Sequence, residues 1–231
     1  MVILKSFWLD FVDLIFPRCC EACNKSLLGN EEVICTVCRM TLPRIEKNGV
    51  YAEDIQYRFV TIPEVLSTQS FLLFTKRGKV QKLLHGLKYH GNREIGLLLG
   101  FMFGQELQEE GRLPSAELIV IVPLHKRKMA KRGFNQSDLL AEGLSRSTGI
   151  PWSATALVRN KFTETQTGKS KQERQDNVAG VFAADQGLNC KSVIVIDDVL
   201  TTGATLSACV ETLKTAGCKE FHILTIAVAQ H

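Results

Sequence analysis

The stretch VIVIDDVLTTGAT, residues Val193 to Thr205, carries the strongest structural signal in this chain. Its apolar first half is closed by two consecutive carboxylates, Asp197 and Asp198. Small and hydroxyl-bearing residues follow, and then a helical pattern from Leu206 to Thr215. A buried strand leading through a short turn into a helix is typical of open α/β sheets, which bind ligands beyond the carboxyl ends of their strands.

The turn after the two acids has the composition of a phosphate site. Its residues are Thr201, Thr202, Gly203, Ala204 and Thr205. Backbone N–H groups, threonine hydroxyls and the helix dipole can converge there on one phosphate, and Gly203 allows close backbone approach. Asp197 and Asp198 can accept hydrogen bonds from two vicinal ribose hydroxyls. The alternative is an ordinary strand–turn–helix whose acids are solvated or cap the helix. It accounts for one acid and one threonine, whereas two acids and three threonines together favour a sugar-phosphate site.

A second buried strand is predicted at Leu118 to Val122, followed by a basic loop from His125 to Gly133. A helix is predicted from near Asn135 to about Ser147. Cations directly after a strand end are suited to a pyrophosphate group, since an arginine can bind two oxygens in a fork. The predicted pyrophosphate ligands are Lys126, Arg127, Lys131 and Arg132. An exposed surface turn is the alternative.

Two further segments are candidate lids over this site. The first is Gln166 to Gly180, whose predicted lid cations are Lys169, Lys171 and Arg174. The second, Lys76 to Asn92, combines a basic loop with an amphipathic helix that ends at Lys88-Tyr89-His90. Ordinary surface segments are the alternative for both, and Tyr89 either stacks on a base or packs against the protein.

Cysteines cluster near the start of the chain. Cys20 and Cys23 form one C-x-x-C pair and Cys35 and Cys38 another, with eleven residues between the pairs. This spacing predicts a zinc ribbon in which four thiolates bind one structural Zn²⁺. Disulfides are the rival interpretation, but nothing in the sequence indicates export to an oxidising compartment. Cys19 adjoins Cys20, and the two-residue spacing favours Cys20 as the ligand.

Composition limits the function classes. The chain has 231 residues, of which 23% are charged and 45% hydrophobic, as in globular proteins. The net charge of +4 is modest, but Lys76 to Arg93 contains six Lys or Arg and Lys126 to Arg132 contains five, with no acid in either block. Such blocks attract phosphate groups of nucleotides or nucleic acids, unless they are merely solvated faces.

The amino-terminal residues resemble a signal sequence only superficially, because Asp10 and Asp13 interrupt the apolar run. Helical spacing of its large apolar residues predicts an amphipathic helix packed on the body, with a peripheral membrane role as the alternative. No apolar stretch reaches the roughly 18 residues of a membrane span, and we expect a cytoplasmic protein. The predicted division is residues 1–64 for the helix, ribbon and connector, and 65–231 for the α/β domain.

The stretch from Val193 to Thr205 resembles the PRPP-binding signature of type I phosphoribosyltransferases. The resemblance implies that Asp197 and Asp198 hold the ribose 2′ and 3′ hydroxyls, that Thr201 to Thr205 hold the 5′-phosphate, and that Mg²⁺ arrives with PRPP. Purine salvage members carry an acid at the first turn position, where this chain has Thr201. Salvage of 6-oxopurines is therefore disfavoured, while nucleobase salvage in general stays an alternative.

Further motifs extend the resemblance over essentially the whole chain. RGFNQ at Arg132 to Gln136, LKYHGN at Leu87 to Asn92, the pattern through Gln166, Arg174 and Asn177, and the cysteine ribbon are similar to the ComF family of competence proteins. The resemblance implies a type I phosphoribosyltransferase-like parallel sheet flanked by helices, with a small amino-terminal zinc ribbon. It also implies a role in DNA uptake, with single-stranded DNA and a competence helicase as partners.

Two functions remain open at this point. One is phosphoribosyl transfer, in which an acceptor that the sequence does not identify displaces pyrophosphate from PRPP. The other is a single-stranded-DNA-binding module that keeps the sugar-phosphate pocket as a sensor or a relic.

Overall fold

The computed structural model of the protein describes residues 17–159 and 181–229. Numbered along these residues, the helices are α1 (Thr36–Thr41), α2 (Val50–Tyr57), α3 (Lys79–Tyr89), α4 (Arg93–Glu109), α5 (Lys126–Arg132), α6 (Gln136–Thr148) and α7 (Ala204–Thr215). The strands are β1 (Val65–Phe74), β2 (Leu118–Ile121), β3 (Trp152–Ser153), β4 (Leu157–Arg159), β5 (Phe182–Ala184), β6 (Ser192–Leu200) and β7 (Glu220–Ala229).

Five strands form one sheet in the order β1-β7-β6-β2-β3, and every neighbouring pair is parallel. β6 and β7 occupy its centre and are apolar and buried along most of their length, as expected for strands covered on both faces. β4 and β5 form a separate antiparallel pair. The predicted parallel sheet flanked by helices is confirmed.

Side chains of β6 alternate between two cores. Ile194 and Ile196 pack in a cluster with the apolar faces of α3, α4 and α6, whereas Val193 and Val195 pack in a second cluster with α7. Because successive strand residues point to opposite faces, this alternation also fixes the directions in which the residues after Ile196 point.

β6 is longer than the sequence indicates. The sequence predicts a strand that ends at the two acids, but β6 continues to Leu200 because β7 pairs with it as far as Leu200↔Val228. On its other side β2 ends at Ile121, opposite Ile196. Beyond that point, among residues 17–159 and 181–229, β7 is the one strand that pairs with β6.

The cysteine-bearing segment shares its core with the sheet domain. Cys20, Cys35 and Cys38 are buried in the same cluster as the leucines of α3 and Ile95 of α4. The predicted connector between the ribbon and the α/β domain contains α2. The amino-terminal helix predicted before Pro17 lies outside the described residues. Within the described ranges, no helix has the length and apolarity needed to cross a bilayer.

Candidate functional site

The two acids of β6 point to opposite faces of the sheet. Asp198 is buried on the face of α3 and α6, where its Oδ2 accepts a hydrogen bond from Gln136 Nε2 at 2.8 Å and lies 2.7 Å from Lys88 Nζ. Asp197 Oδ1 accepts from the backbone N–H of Asp198 at 2.8 Å and from Ser137 Oγ at 3.4 Å. The acids therefore have different surroundings, although they are adjacent in sequence.

Asp197 has a perturbed pKa. Its burial, together with the charge of the neighbouring Asp198, raises the pKa of the Asp197 carboxyl to about 7. The charge of Lys88 and the hydrogen bonds to Asp197 act in the opposite direction but do not offset these effects. A carboxyl group that titrates near neutral pH at a sheet edge is a common feature of ligand sites.

The predicted phosphate turn follows Leu200 and is exposed except at Gly203. Gly203 has φ +85°, a left-handed conformation that favours glycine, and a Cβ there would lie 3.2 Å from the Phe59 ring. Within the described part of the chain, the backbone N–H groups of Gly203, Thr205 and Leu206 have no protein acceptor. The turn therefore presents unpaired donors at the beginning of α7, an arrangement suited to an anion.

The residues directly after α2 contact the predicted phosphate turn. The Arg58 guanidinium donates to the Thr201 carbonyl oxygen, and its Nε donates to Asp54 Oδ2 at 3.1 Å. Phe59 is buried against Gly203. No motif in the sequence links Arg58 or Phe59 to the turn, and sequence reasoning missed both.

The predicted basic loop from His125 to Gly133 is wrong in its conformation, because these residues form helix α5. The His125 side chain caps the helix by accepting from the Arg127 N–H at 3.2 Å, and Gly133 ends it with φ +77°. Lysine and arginine are good helix formers, and a glycine directly after a run of them is a helix-end signal that could have revealed α5.

Only part of the predicted pyrophosphate set faces a cavity. Lys131 and Arg132 line a cavity of about 450 Å³ between α5 and the end of α3, whereas Lys126 and Arg127 are exposed elsewhere on α5. The full lining is Lys88, Tyr89, His90, Gly91, Lys128, Lys131, Arg132 and Phe134. We refer to this space as the basic cavity, since its lining contains four Lys or Arg and no acid.

Contacts across the basic cavity join two motifs that are distant in sequence. The Arg132 guanidinium lies 5.4 Å from the centre of the Tyr89 ring and donates to Gln136 Oε1 at 2.7 Å. Gln136 Nε2 in turn donates a hydrogen bond to Asp198 Oδ2, which also forms an ion pair with Lys88. The sequence predicted Lys88 and Tyr89 to lie on a candidate lid and indicated no role for Gln136. The other lid cations, Lys169, Lys171 and Arg174, lie outside the described residues.

A larger cleft of about 590 Å³ lies between the cysteine-bearing segment and α4. Its charged lining is mixed: Glu31, Glu32, Arg39, Glu94 and Arg146. It therefore lacks the single-sign charge that distinguishes the basic cavity.

The four predicted zinc ligands form one cluster. The Sγ atoms of Cys20, Cys23, Cys35 and Cys38 all lie within 4.8 Å of one another, and those of Cys23 and Cys35 are 3.8 Å apart. Tetrahedral Zn²⁺ with bonds of about 2.3 Å requires sulfur separations of about 3.8 Å, so the cluster fits the ion. The Cys35 N–H donates to Cys20 Sγ at 3.3 Å, a contact that supports thiolate charge. Cys19 is exposed outside the cluster.

The second half of the chain matches a known family of domains. The family model of the phosphoribosyl transferase domain matches residues 130–231, which include α6, β6, the turn and β7. The fold and the matched residues thus resemble a phosphoribosyl transferase domain over residues 130–231. A similar solved structure is the glutamine PRPP amidotransferase from B. subtilis complexed with ADP and GMP, at 22% identity and TM-score 0.40, covering 57% of this chain and 26% of that one.

Three similar proteins have names that refer to competence or to DNA utilization. Competence protein F of Haemophilus influenzae is 27% identical over 229 residues, covering 91% of this chain and 96% of the relative. Competence protein ComFC of Streptococcus pneumoniae is 26% identical over 204 residues, covering 84% and 87%. DNA utilization protein YhgH of Escherichia coli K12 is 35% identical over 128 residues, 54% of this chain, and the match spans about half, 56%, of that relative. These relatives confirm the predicted resemblance to the ComF family.

Proposed function

We propose that this chain binds PRPP, or another ribose 5-phosphate ligand, at the carboxyl edge of β6 and acts in DNA uptake. The observation that carries the proposal is the turn after β6. Its N–H groups at Gly203, Thr205 and Leu206 have no acceptor among the described residues, and it follows two acids at the carboxyl edge of the sheet, beyond the end of β2. A phosphate on the turn and a ribose beside the acids would fill this arrangement.

The proposed roles follow from position and charge. Thr201 to Thr205 bind the 5′-phosphate, and Asp197 accepts hydrogen bonds from the ribose. Asp198 also takes part in ribose binding. Its Oδ2 contacts Lys88 Nζ and Gln136 Nε2, and these contacts position both side chains. The pyrophosphate lies on the α5 side, where Lys131 and Arg132 line the basic cavity.

If the chain is an enzyme, its acceptor displaces pyrophosphate from the anomeric carbon of PRPP. Such a reaction needs mainly a correctly positioned ribose and stabilisation of the departing charge. The acids and the turn orient the ribose, while the basic cavity supplies the positive charge. Mg²⁺ bound with PRPP would neutralise further charge on the pyrophosphate.

The DNA role rests on the names of the relatives, Competence protein F, ComFC and DNA utilization protein. A second candidate function is binding of single-stranded DNA, and a competence helicase is a further proposed partner. The basic cavity favours the DNA candidate, because it combines four cations with the Tyr89 ring, whose residue is 59% exposed. Phosphate contacts and ring stacking are the usual means of binding single strands.

The test is isothermal titration calorimetry of PRPP with Mg²⁺ against the protein and against Asp197→Asn plus Asp198→Asn. We expect binding by the unchanged protein and no heat from the double variant. Glu109→Gln plus Asp185→Asn removes the same charge at exposed positions and serves as the matched control. Circular dichroism checks that both variants are folded. Full PRPP affinity in the folded double variant would refute the site.

The same variants separate the two functions. A DNA-binding module predicts a salt-dependent affinity for a single-stranded oligonucleotide that survives the double acid change. Lys131→Gln plus Arg132→Gln should weaken that affinity, because it removes two cations from the basic cavity. Lys25→Gln plus Lys219→Gln, at exposed positions that do not line this cavity, is the control.

A further inference from the structure

The cysteine segment is in direct contact with the helix end that lines the basic cavity. Glu21 lies between the ligands of the first C-x-x-C pair, and its Oε1 accepts a hydrogen bond from Asn92 Nδ2 at 2.8 Å. Asn92 is the residue before α4, and its N–H reaches the Gly86 carbonyl oxygen of α3 at 3.4 Å. Glu21 is therefore tied to the connection between α3 and α4.

The packing at this contact leaves little room for adjustment. A Cβ at Gly86 would lie 2.9 Å from Ile95 Cδ1 and 3.4 Å from Glu21 Oε2. Cys20 and Ala22, on either side of Glu21, are buried in one core cluster with α3 and α4. Because interiors are close-packed, a displacement of the first cysteine pair is passed to the last turn of α3.

That last turn carries one wall of the basic cavity. Lys88, Tyr89, His90 and Gly91 follow Gly86 within five residues, and Lys88 also pairs with Asp198. The chain from Glu21 through Asn92 to Lys88 thus connects the cysteine cluster with the acids of β6.

We propose that Glu21 is a positioning residue through which the metal-bound cysteine cluster holds the end of α3, and with it the basic cavity, in the geometry that binds pyrophosphate. The proposal rests on the proposed function, since it assigns the basic cavity to the pyrophosphate group. A Zn²⁺ ion held by the four cysteines would fix the backbone around Glu21, and Glu21 positions Asn92 through their hydrogen bond. Loss of either the metal or the Glu21 contact should weaken ligand binding.

The experiment measures magnesium pyrophosphate affinity by calorimetry and zinc content by atomic absorption in three variants. Glu21→Ala removes the acceptor and should raise the Kd by about three- to tenfold, the range of one lost hydrogen bond, while zinc content stays unchanged. Glu21→Gln keeps a side-chain carbonyl for Asn92 and should restore the original Kd. Glu32→Gln, on the same segment but away from α3, should change neither quantity.

The outcomes are distinguishable. An unchanged Kd in zinc-loaded Glu21→Ala overturns this inference and leaves the proposed function intact. A raised Kd in Glu21→Gln equal to that of Glu21→Ala also overturns it, because the negative charge rather than the hydrogen bond to Asn92 would then be responsible. Absence of pyrophosphate and PRPP binding in the unchanged protein overturns the proposed function, and this inference with it.

Discussion

Lys88 Nζ lies 2.7 Å from Asp198 Oδ2, and this ion pair joins the end of α3 to the central strand of the sheet. The two side chains are 21% and 9% exposed, so the pair is largely removed from water. A charge left alone in such a place is strongly destabilising. The pair therefore links the stability of the domain to the geometry of its proposed site.

Lys88→Met should lower the free energy of unfolding by about 2–3 kcal/mol, because it leaves Asp198 buried without its cation. Adding Asp198→Asn to the same protein should recover most of this loss. Urea unfolding measures both values. The control is Lys82→Met on the exposed face of α3, where we expect a change within about 0.5 kcal/mol. Equal destabilisation by Lys82→Met and Lys88→Met would contradict the assigned pair.

Asp197 should make stability depend on pH. Its pKa is raised to about 7 in the folded protein, against about 3.9 when unfolded. The stabilisation from this group is complete below about pH 4 and is lost as the pH rises through 7, because the ionised carboxylate is disfavoured by burial and by Asp198. Asp197→Asn should thus be more stable than the unchanged protein by about 2 kcal/mol at pH 8, with little difference near pH 4.

Urea unfolding at several pH values between these limits measures the effect. Asp185→Asn, at an exposed position, provides the control and should show no such trend. The assignment fails if Asp197→Asn loses stability relative to the unchanged protein as the pH rises.

Gly203→Ala should separate backbone strain from ligand binding. Gly203 and Gly149 have φ of +85° and +77°, but a Cβ at Gly149 has open space while one at Gly203 meets Phe59. Both changes should lower stability by about 1 kcal/mol, the usual effect of alanine at positive φ. Only Gly203→Ala should also weaken PRPP binding, by about tenfold, since it shifts the donors of the turn. Equal PRPP affinity in the two variants would argue against the turn.

The cysteine cluster should carry metal. Purified protein is expected to contain about one Zn²⁺ per chain, and Cys35→Ser should lose it together with part of the thermal stability. Cys19→Ser is the matched control, because Cys19 adjoins the cluster but lies outside it. Metal analysis and a thermal melt decide the question. Metal-free protein that melts at the same temperature as zinc-loaded protein would end the ribbon assignment.

Local patterns in the sequence were sufficient for several features. The apolar run before Asp197 predicted a buried strand, the small residues after Leu200 a turn, and the two C-x-x-C pairs a four-cysteine cluster. These predictions succeed because strand burial, turn conformation and close ligand spacing depend on neighbours along the chain. The charges of residues 125–133 indicate a loop that binds phosphate, and this prediction is wrong because lysine and arginine also favour helices, as in α5.

Tertiary structure alone decided which partners meet. No local pattern indicates that β7 extends β6 to Leu200, that Lys88 and Gln136 converge on Asp198, or that Arg58 reaches the Thr201 carbonyl. The raised pKa of Asp197 likewise comes from its burial and its neighbours in space. Sequence specifies which groups are available, whereas their distances and their separation from water, which set the strength of every charge interaction, exist only once the chain has folded.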